Sequence, residues 1–161
     1  MGNLKTALEN GGLENVHTYI QSGNVIFKSD EKDTDKLSVL ITSVIKEKFD
    51  LPVGVAVFSQ KEWQQVIKAA PEWWGRDEGW KHNLLIMIKP FDTQETLAVF
   101  EKLKPEIEQV VAGQGVLYQS LLFQKFGQTS SSKLNSNPVY QRITIRSYNT
   151  VTKLHTLLES N

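Results

Sequence analysis

At 161 residues with 40% apolar side chains, the chain can bury one good core, or two small units that share one, and it is not a disordered polymer. Formal net charge is zero, so the molecule as a whole exerts no electrostatic pull on nucleic acid or an anionic membrane, and any such binding must be local. The absence of cysteine excludes disulfides, thiolate metal sites and a cysteine nucleophile. No apolar run nears the ~20 residues of a membrane span and no signal-peptide pattern opens the chain, so a cytoplasmic protein is expected.

Leu4, Ala7 and Leu8 recur at helical spacing before Gly11-Gly12, which predicts a short helix over 3–10. A two-residue Ser22-Gly23 turn then predicts a hairpin with His17 opposite Lys28, Tyr19 opposite Ile26 and Ile20 opposite Val25. In that register Val16, Ile20, Val25 and Phe27 share an apolar face. Tyr19, Gln21, Asn24 and Lys28, with His17, share a face open to water. The clearest helical period runs over 34–49, through Leu37, Leu40, Ile41, Val44, Ile45 and Phe49.

Residues 53–59 read as a strand, and a helix carrying Trp63, Val66, Ile67 and Ala70 follows up to Pro71. The loop PEWWGRDEGW could stack a base or sugar on Trp73, Trp74 or Trp80 beside Arg76, but packing is favoured for at least two of these indoles, since exposing several would leave an unusually large apolar patch. The unbroken apolar run 83–89 suits a central strand buried on both sides. A helix over 93–103, strands at 107–112 and 116–123, a strand at 142–146 and a helix over 149–158 complete the chain. The second half thus follows a split βαβ order, and the first half follows the same order without its first strand. The expected fold is α+β: tandem ferredoxin-like units with antiparallel sheets, one over 1–60 and one over 61–161.

The hairpin YIQSGNVIF, the WW loop and the C-terminal T-x-R-x-x-N-T-x-x-K-L pattern resemble the bacterial domain-of-unknown-function family numbered sixteen ninety-seven. The resemblance implies two ferredoxin-like units. It also implies an additional leading strand followed by an Arg-Gly-Ile-Asn segment, and this chain starts after both. Ser147 and Tyr148 stand where the family more often has Asn and Trp, while Asn149, Thr150, Lys153 and Leu154 fit. A first unit without its leading strand must close its sheet by pairing 24–28 directly with 53–58, by a strand from a second molecule, or by local disorder, and a homodimer is the expected consequence.

His17, His82 and His155 are far apart in sequence and form no ligand pair, so no metal or other cofactor is expected. Glu106 and Glu108 alternate into a strand, where a solvated strand end accounts for them at least as well as paired acid-base work. From Gln109 through Leu158 there is no acidic residue, while Lys125, Lys133, Arg142, Arg146 and Lys153 are present among many Ser, Thr and Asn donors. This points to an anion site built from Lys133, Arg142, Thr144, Arg146 and Asn149, next to a helix N-terminus. Its competing reading is a simple helix cap by Ser147 or Asn149. Three functions follow: a binding module for a phosphate-bearing small molecule or RNA, using that segment and the hairpin face; an enzyme with Lys133 or Tyr140 as acid-base group and Arg146 as clamp; or a protein-interaction domain.

Overall fold

The computed structural model describes residues 2–21, 23–100 and 102–160. The chain divides into two units, Met1–Gln60 and Lys61–Asn161. It is an α+β protein whose sheets are antiparallel throughout.

In the first unit, α1 (Gly2–Asn10) precedes a hairpin of β1 (Glu14–Tyr19) and β2 (Asn24–Lys28), which is followed by α2 (Thr34–Phe49). Asp33 starts α2 by accepting from the backbone N–H groups of Asp35 and Lys36, at 2.9 and 3.2 Å. The helices and hairpin close on Leu8, Leu13, Val16, Leu37 and Ile41, with Val25, Phe27, Val55 and Val57 packed against them. The hairpin register is shifted by two residues from the one the sequence suggests, which widens the turn: Tyr19 pairs with Asn24, Thr18 with Val25 and His17 with Ile26. Asn24 closes the pairing by donating from its side-chain amide to the Tyr19 carbonyl, and Ile20 takes a left-handed φ of 51°, so the ladder stops before the expected turn. Ile20 is consequently an exposed loop residue rather than part of the apolar face. Ser22 of the expected turn lies outside the described residues.

The strand expected at 53–59 does not form. Val55 and Val57 pack against the core while Val53 is exposed, and the Val55 carbonyl accepts from Ser38 Oγ at 2.5 Å, but no ladder joins the segment to β2 among the described residues. Direct pairing of 24–28 with 53–58, one of the three closures the sequence allows, is therefore absent from the two-stranded sheet. Alternating apolar residues allow a segment to lean on a core without pairing, because a ladder also needs a neighbouring strand within hydrogen-bond reach.

In the second unit, α3 (Gln60–Lys68) leads through the tryptophan loop to β3 (Trp80–Met87), then α4 (Thr93–Leu97), β4 (Glu108–Ala112), β5 (Val116–Leu122), β6 (Ile143–Ser147) and α5 (Tyr148–Glu159). The sheet order is β4-β5-β3-β6, so β3 is central, as the apolar run suggested. The helix expected over 93–103 is a single α turn followed by a 3-10 turn at Ala98–Phe100. Between β5 and β6 the chain runs through three 3-10 stretches rather than an α-helix. Asn and Ser side chains compete for local backbone groups along that stretch, which favours short turns.

Both faces of this sheet are covered. Leu85, Met87, Val110, Leu117 and Ile143 meet Phe100, Leu134 and Val139 on one side. On the other, Tyr118 donates its hydroxyl to the Val66 carbonyl of α3 at 2.5 Å, and Trp74 sits edge-on to Tyr118 and Tyr148, with ring centroids 5.5 and 4.9 Å apart. Trp74 also donates its indole N–H to the Asn83 carbonyl at 3.0 Å. None of Trp73, Trp74 and Trp80 is exposed, and Arg76 pairs with Glu72, so the loop packs rather than presenting a stacking platform.

Burial pushes the Tyr118 phenol up to about 12. Because the folded value lies above the unfolded one, the stability linked to this group is complete below pH ~10 and is lost as pH rises toward ~12. We expect the second unit to lose about 2 kcal/mol across that window. The Tyr118→Phe variant should be less stable at neutral pH by about 1 kcal/mol, the worth of one hydrogen bond, but flatter above pH ~10. Denaturant titrations from pH 8 to 12 check this, and parallel curves for parent and variant would refute it.

Candidate functional site

The strand β6 runs antiparallel to β3 along the sheet edge, with Thr144 opposite Ile86 and Arg146 opposite Leu84. Because Ile143 and Ile145 face the Leu85–Leu117 side, alternation turns Thr144 and Arg146 to the opposite face. Arg146 Nη1 donates to Thr144 Oγ1 at 2.6 Å and to its neighbour's carbonyl, that of Ile145, at 2.9 Å. These bonds hold the guanidinium against the strand that leads directly into α5. The group is half-buried, and loss of hydration lowers its pKa from the usual arginine value. Ser147 then caps α5, its hydroxyl accepting from the Thr150 N–H at 3.4 Å, and Asn149 stands exposed in the first helical turn. The expected cap and the expected cation thus coexist at one junction.

The other two residues of the expected anion site lie elsewhere. Arg142 reaches Glu95 at 3.1 Å and lies over the Phe91 ring, 4.2 Å from its centroid. Lys133 is exposed on the 3-10 stretch Ser130–Ser136, whose Leu134 belongs to the core on the opposite face of the sheet from Arg146. Thr144, Arg146 and Asn149 are therefore brought to one junction, and Lys133 and Arg142 are not.

Most of the hydroxyl donors expected to serve a phosphate are used internally, those of Thr129, Ser131, Ser132 and Ser136 among them. Glu108, buried to 1% exposure, accepts from the Ser130 N–H at 2.7 Å, from the Ser131 N–H at 3.2 Å and from the Ser131 hydroxyl. Gln119 donates to Ser131 Oγ at 2.5 Å, and Asn83 donates to Gln119 Oε1 at 2.8 Å, extending the chain of bonds across three strands. Glu108 is thus a buried anchor for the 3-10 stretch, while Glu106 is exposed, and the pair is not a catalytic dyad. The signal for this was present in the sequence: Glu108 has the same parity as Val110, which places it on the core face of β4.

On the hairpin, Lys28 and Gln21 are exposed and Tyr19 is half-buried, but Asn24 is buried and holds the hairpin end. The four residues expected to form one open face do not present one polar surface. A surface groove of about 370 Å³ in this unit is lined by Glu14, Asp30, Glu31 and Lys36. Lys36 is already paired with Glu31 at 3.6 Å, and the remaining acids make the groove unsuited to an anion. Among the described residues no cluster of His, Asp or Glu is placed to hold a metal ion, and no helix is long and apolar enough to cross a membrane.

Fold and site together define an α+β protein of two units in which one arginine is held at a strand-to-helix junction, without an assembled catalytic constellation among the described residues. The chain belongs to the family described as protein of unknown function (DUF1697), whose model matches residues 1–118. The C-terminal TIRSYNTVTKL motif, which contains the Arg146 junction, lies beyond the matched residues. Among solved structures, the chain is similar to a conserved bacterial protein, SP0830 from Streptococcus pneumoniae, at 25% identity and a TM-score of 0.86, covering 99% of this chain and 88% of that one. No curated protein matches.

Proposed function

We propose that the chain is a binding module that holds the phosphate of a phosphate-bearing ligand, a small molecule or RNA, at the junction of β6 and α5. The observation that carries this reading is the anchored Arg146, held by Thr144 and the Ile145 carbonyl directly ahead of the first turn of α5. A pre-positioned guanidinium loses little side-chain freedom on binding, and helix N-terminal N–H groups add donors for the same anion. The acid-free stretch from Gln109 to Leu158 supports the same reading, because local potential attracts an anion even when net charge is zero. We infer further that both units follow the ferredoxin-like plan, as the β4-β5-β3-β6 order supports for the second, and that the protein works in a reducing cytoplasm, which its lack of cysteine fits. The catalytic alternative has less support, because Lys133 and Tyr140 lie on the 3-10 stretches and Leu134, beside Lys133, packs on the opposite face of the sheet from Arg146.

The test is a thermal-shift series with inorganic phosphate, a nucleoside triphosphate, a sugar phosphate and a short RNA. The parent should be stabilised by at least one of these, since stability rises with native-state binding. Arg146→Ala and Asn149→Ala should lose the shift, Arg146→Lys should keep part of it, and Lys133→Ala should keep all of it. Absence of any shift in the parent, or loss in Lys133→Ala equal to that in Arg146→Ala, would overturn the assignment.

A further inference from the structure

We propose that the turn after β5 is a stacking site for single-stranded RNA, in which Phe123 and Phe126 hold unpaired bases and neighbouring lysines hold the phosphates. The 3-10 stretch Phe123–Gln128 contains no buried residue, so its two rings do not serve the core. Phe123 is 56% exposed and Phe126 42%, in contrast to the tryptophans of the loop before β3, none of which is exposed. A 3-10 helix has about three residues per turn and rises about 2 Å per residue. Residues 123 and 126 therefore share one side of the stretch, about 6 Å apart along its axis. Two rings presented on one side, one turn apart, suit two successive bases, since every base has a π-face to cover.

The turn is held in place without the help of its rings. The Phe123 N–H donates to the Gly79 carbonyl at 3.4 Å, and the Phe126 carbonyl accepts from the Thr129 N–H at 3.0 Å and from the Thr129 hydroxyl at 2.6 Å. Both phenyl groups are thus carried by bonded backbone, which reduces the ordering cost of binding. Lys81 has the parity of Leu85, so it belongs to the face of the sheet opposite to Arg146, and this inference does not rest on the assignment at the β6–α5 junction.

Charge selects the occupant. Lys81 Nζ lies over the Phe123 ring, 4.2 Å from its centroid, so a nucleotide whose base stacks there brings its phosphate close to an ammonium group. Lys125 is exposed within the turn, Lys133 is exposed on the next 3-10 stretch, and Lys102 is exposed where its carbonyl accepts from Ser130 Oγ at 3.5 Å. None of these four lysines is in an ion pair among the described residues. The acids adjoining the turn's bonded neighbours are Glu78, next to Gly79, and Glu106, next to Ile107. The cationic excess favours a polyanion over an apolar protein partner, to which it would offer nothing. Gln124 and Gln128 complete the surface with exposed amides that both donate and accept, which matches the ribose 2′-hydroxyl and favours RNA over DNA.

The experiment measures fluorescence anisotropy of an end-labelled oligouridylate, the matching oligodeoxyuridylate and an RNA duplex against the full-length protein. The oligouridylate should bind the parent more tightly than either of the others. Phe123→Ala and Phe126→Ala should each weaken it by about tenfold, Phe123→Tyr should keep it, and Phe123→Leu, which retains apolar area without a π-face, should lose as much as the alanine. Lys81→Gln should weaken binding and reduce its salt dependence by about one phosphate contact. Both phenylalanines are exposed, so these variants should melt with the parent. The loss in Phe123→Ala should be the same in an Arg146→Ala background, whatever the β6–α5 junction binds. No binding of oligouridylate by the parent would overturn the proposal, as would equal binding of the deoxy strand or the duplex. So would Phe123→Leu binding like the parent, which would mark an apolar docking surface, or a Phe123→Ala loss that vanishes in the Arg146→Ala background.

Discussion

Glu108→Ala is expected to destabilise the second unit by about 4 kcal/mol, the largest effect of any single side chain considered, because it strands several buried donors at once. The Ser130 and Ser131 N–H groups and the Ser131 hydroxyl all donate to this carboxyl. Each buried donor left without a partner costs about 1–3 kcal/mol, partly offset by local relaxation. The loss also removes the end of the Asn83–Gln119–Ser131 series, so the three-strand connection loosens with it. Glu108→Gln should fall between parent and Ala, since it keeps one acceptor oxygen but turns an amide toward N–H donors. Glu106→Ala, at an exposed site, should stay within about 0.5 kcal/mol of the parent. All four tryptophans, at 63, 73, 74 and 80, lie in the second unit, so urea titration followed by indole fluorescence reads that unit alone. A Glu108→Ala protein within about 1 kcal/mol of the parent, the centre of ordinary point-mutant effects, would show that the network is not the anchor described.

Gly75→Ala is expected to cost about 3 kcal/mol, for two additive reasons. Residue 75 has φ 87°, a left-handed conformation that an L side chain adopts with strain. A Cβ there would also lie 2.1 Å from Tyr148 Cε2, well inside van der Waals contact. Tyr148 cannot simply yield, because its ring stands edge-on to Trp74 at 4.9 Å and to His82 at 6.3 Å. The double variant Gly75→Ala with Tyr148→Ala should be less destabilised than the sum of its parts, because the clash is absent once the ring is gone. Strict additivity would assign the whole cost to backbone strain.

This glycine and this tyrosine also account for the tryptophan loop. Aromatic residues near an arginine are compatible with a stacking site, but Gly75 lets the chain turn tightly over Tyr148 and directs Trp74 onto the sheet. The loop's composition alone is consistent with either outcome, because one residue's φ and one ring placed by α5 decide between them.

What the sequence by itself determined is the set of features encoded by local period and parity. The 3.6-residue period over 34–49 coincides with α2, the apolar run at 83–89 overlaps the central strand β3, and the α+β class and the family follow from the same patterns. Glu108 shares the parity of buried Val110, a signal that the reading of a solvated strand end passed over and that the structure shows to be decisive. Only the tertiary structure decided which distant groups meet. The hairpin register shifted by two residues, with Asn24 bonded to the Tyr19 carbonyl, and 53–57 joined no ladder among the described residues although Val55 and Val57 pack on the core. Ser130 and Ser131 turned inward because a carboxyl from β4 lies beneath them, and Lys133 parted from Arg146 because its stretch packs on the face of the sheet opposite to the one Arg146 occupies. Local sequence sets which side chains point inward, whereas hydrogen-bond partners and converging charges are properties of segments far apart in the chain, and only packing brings those segments together.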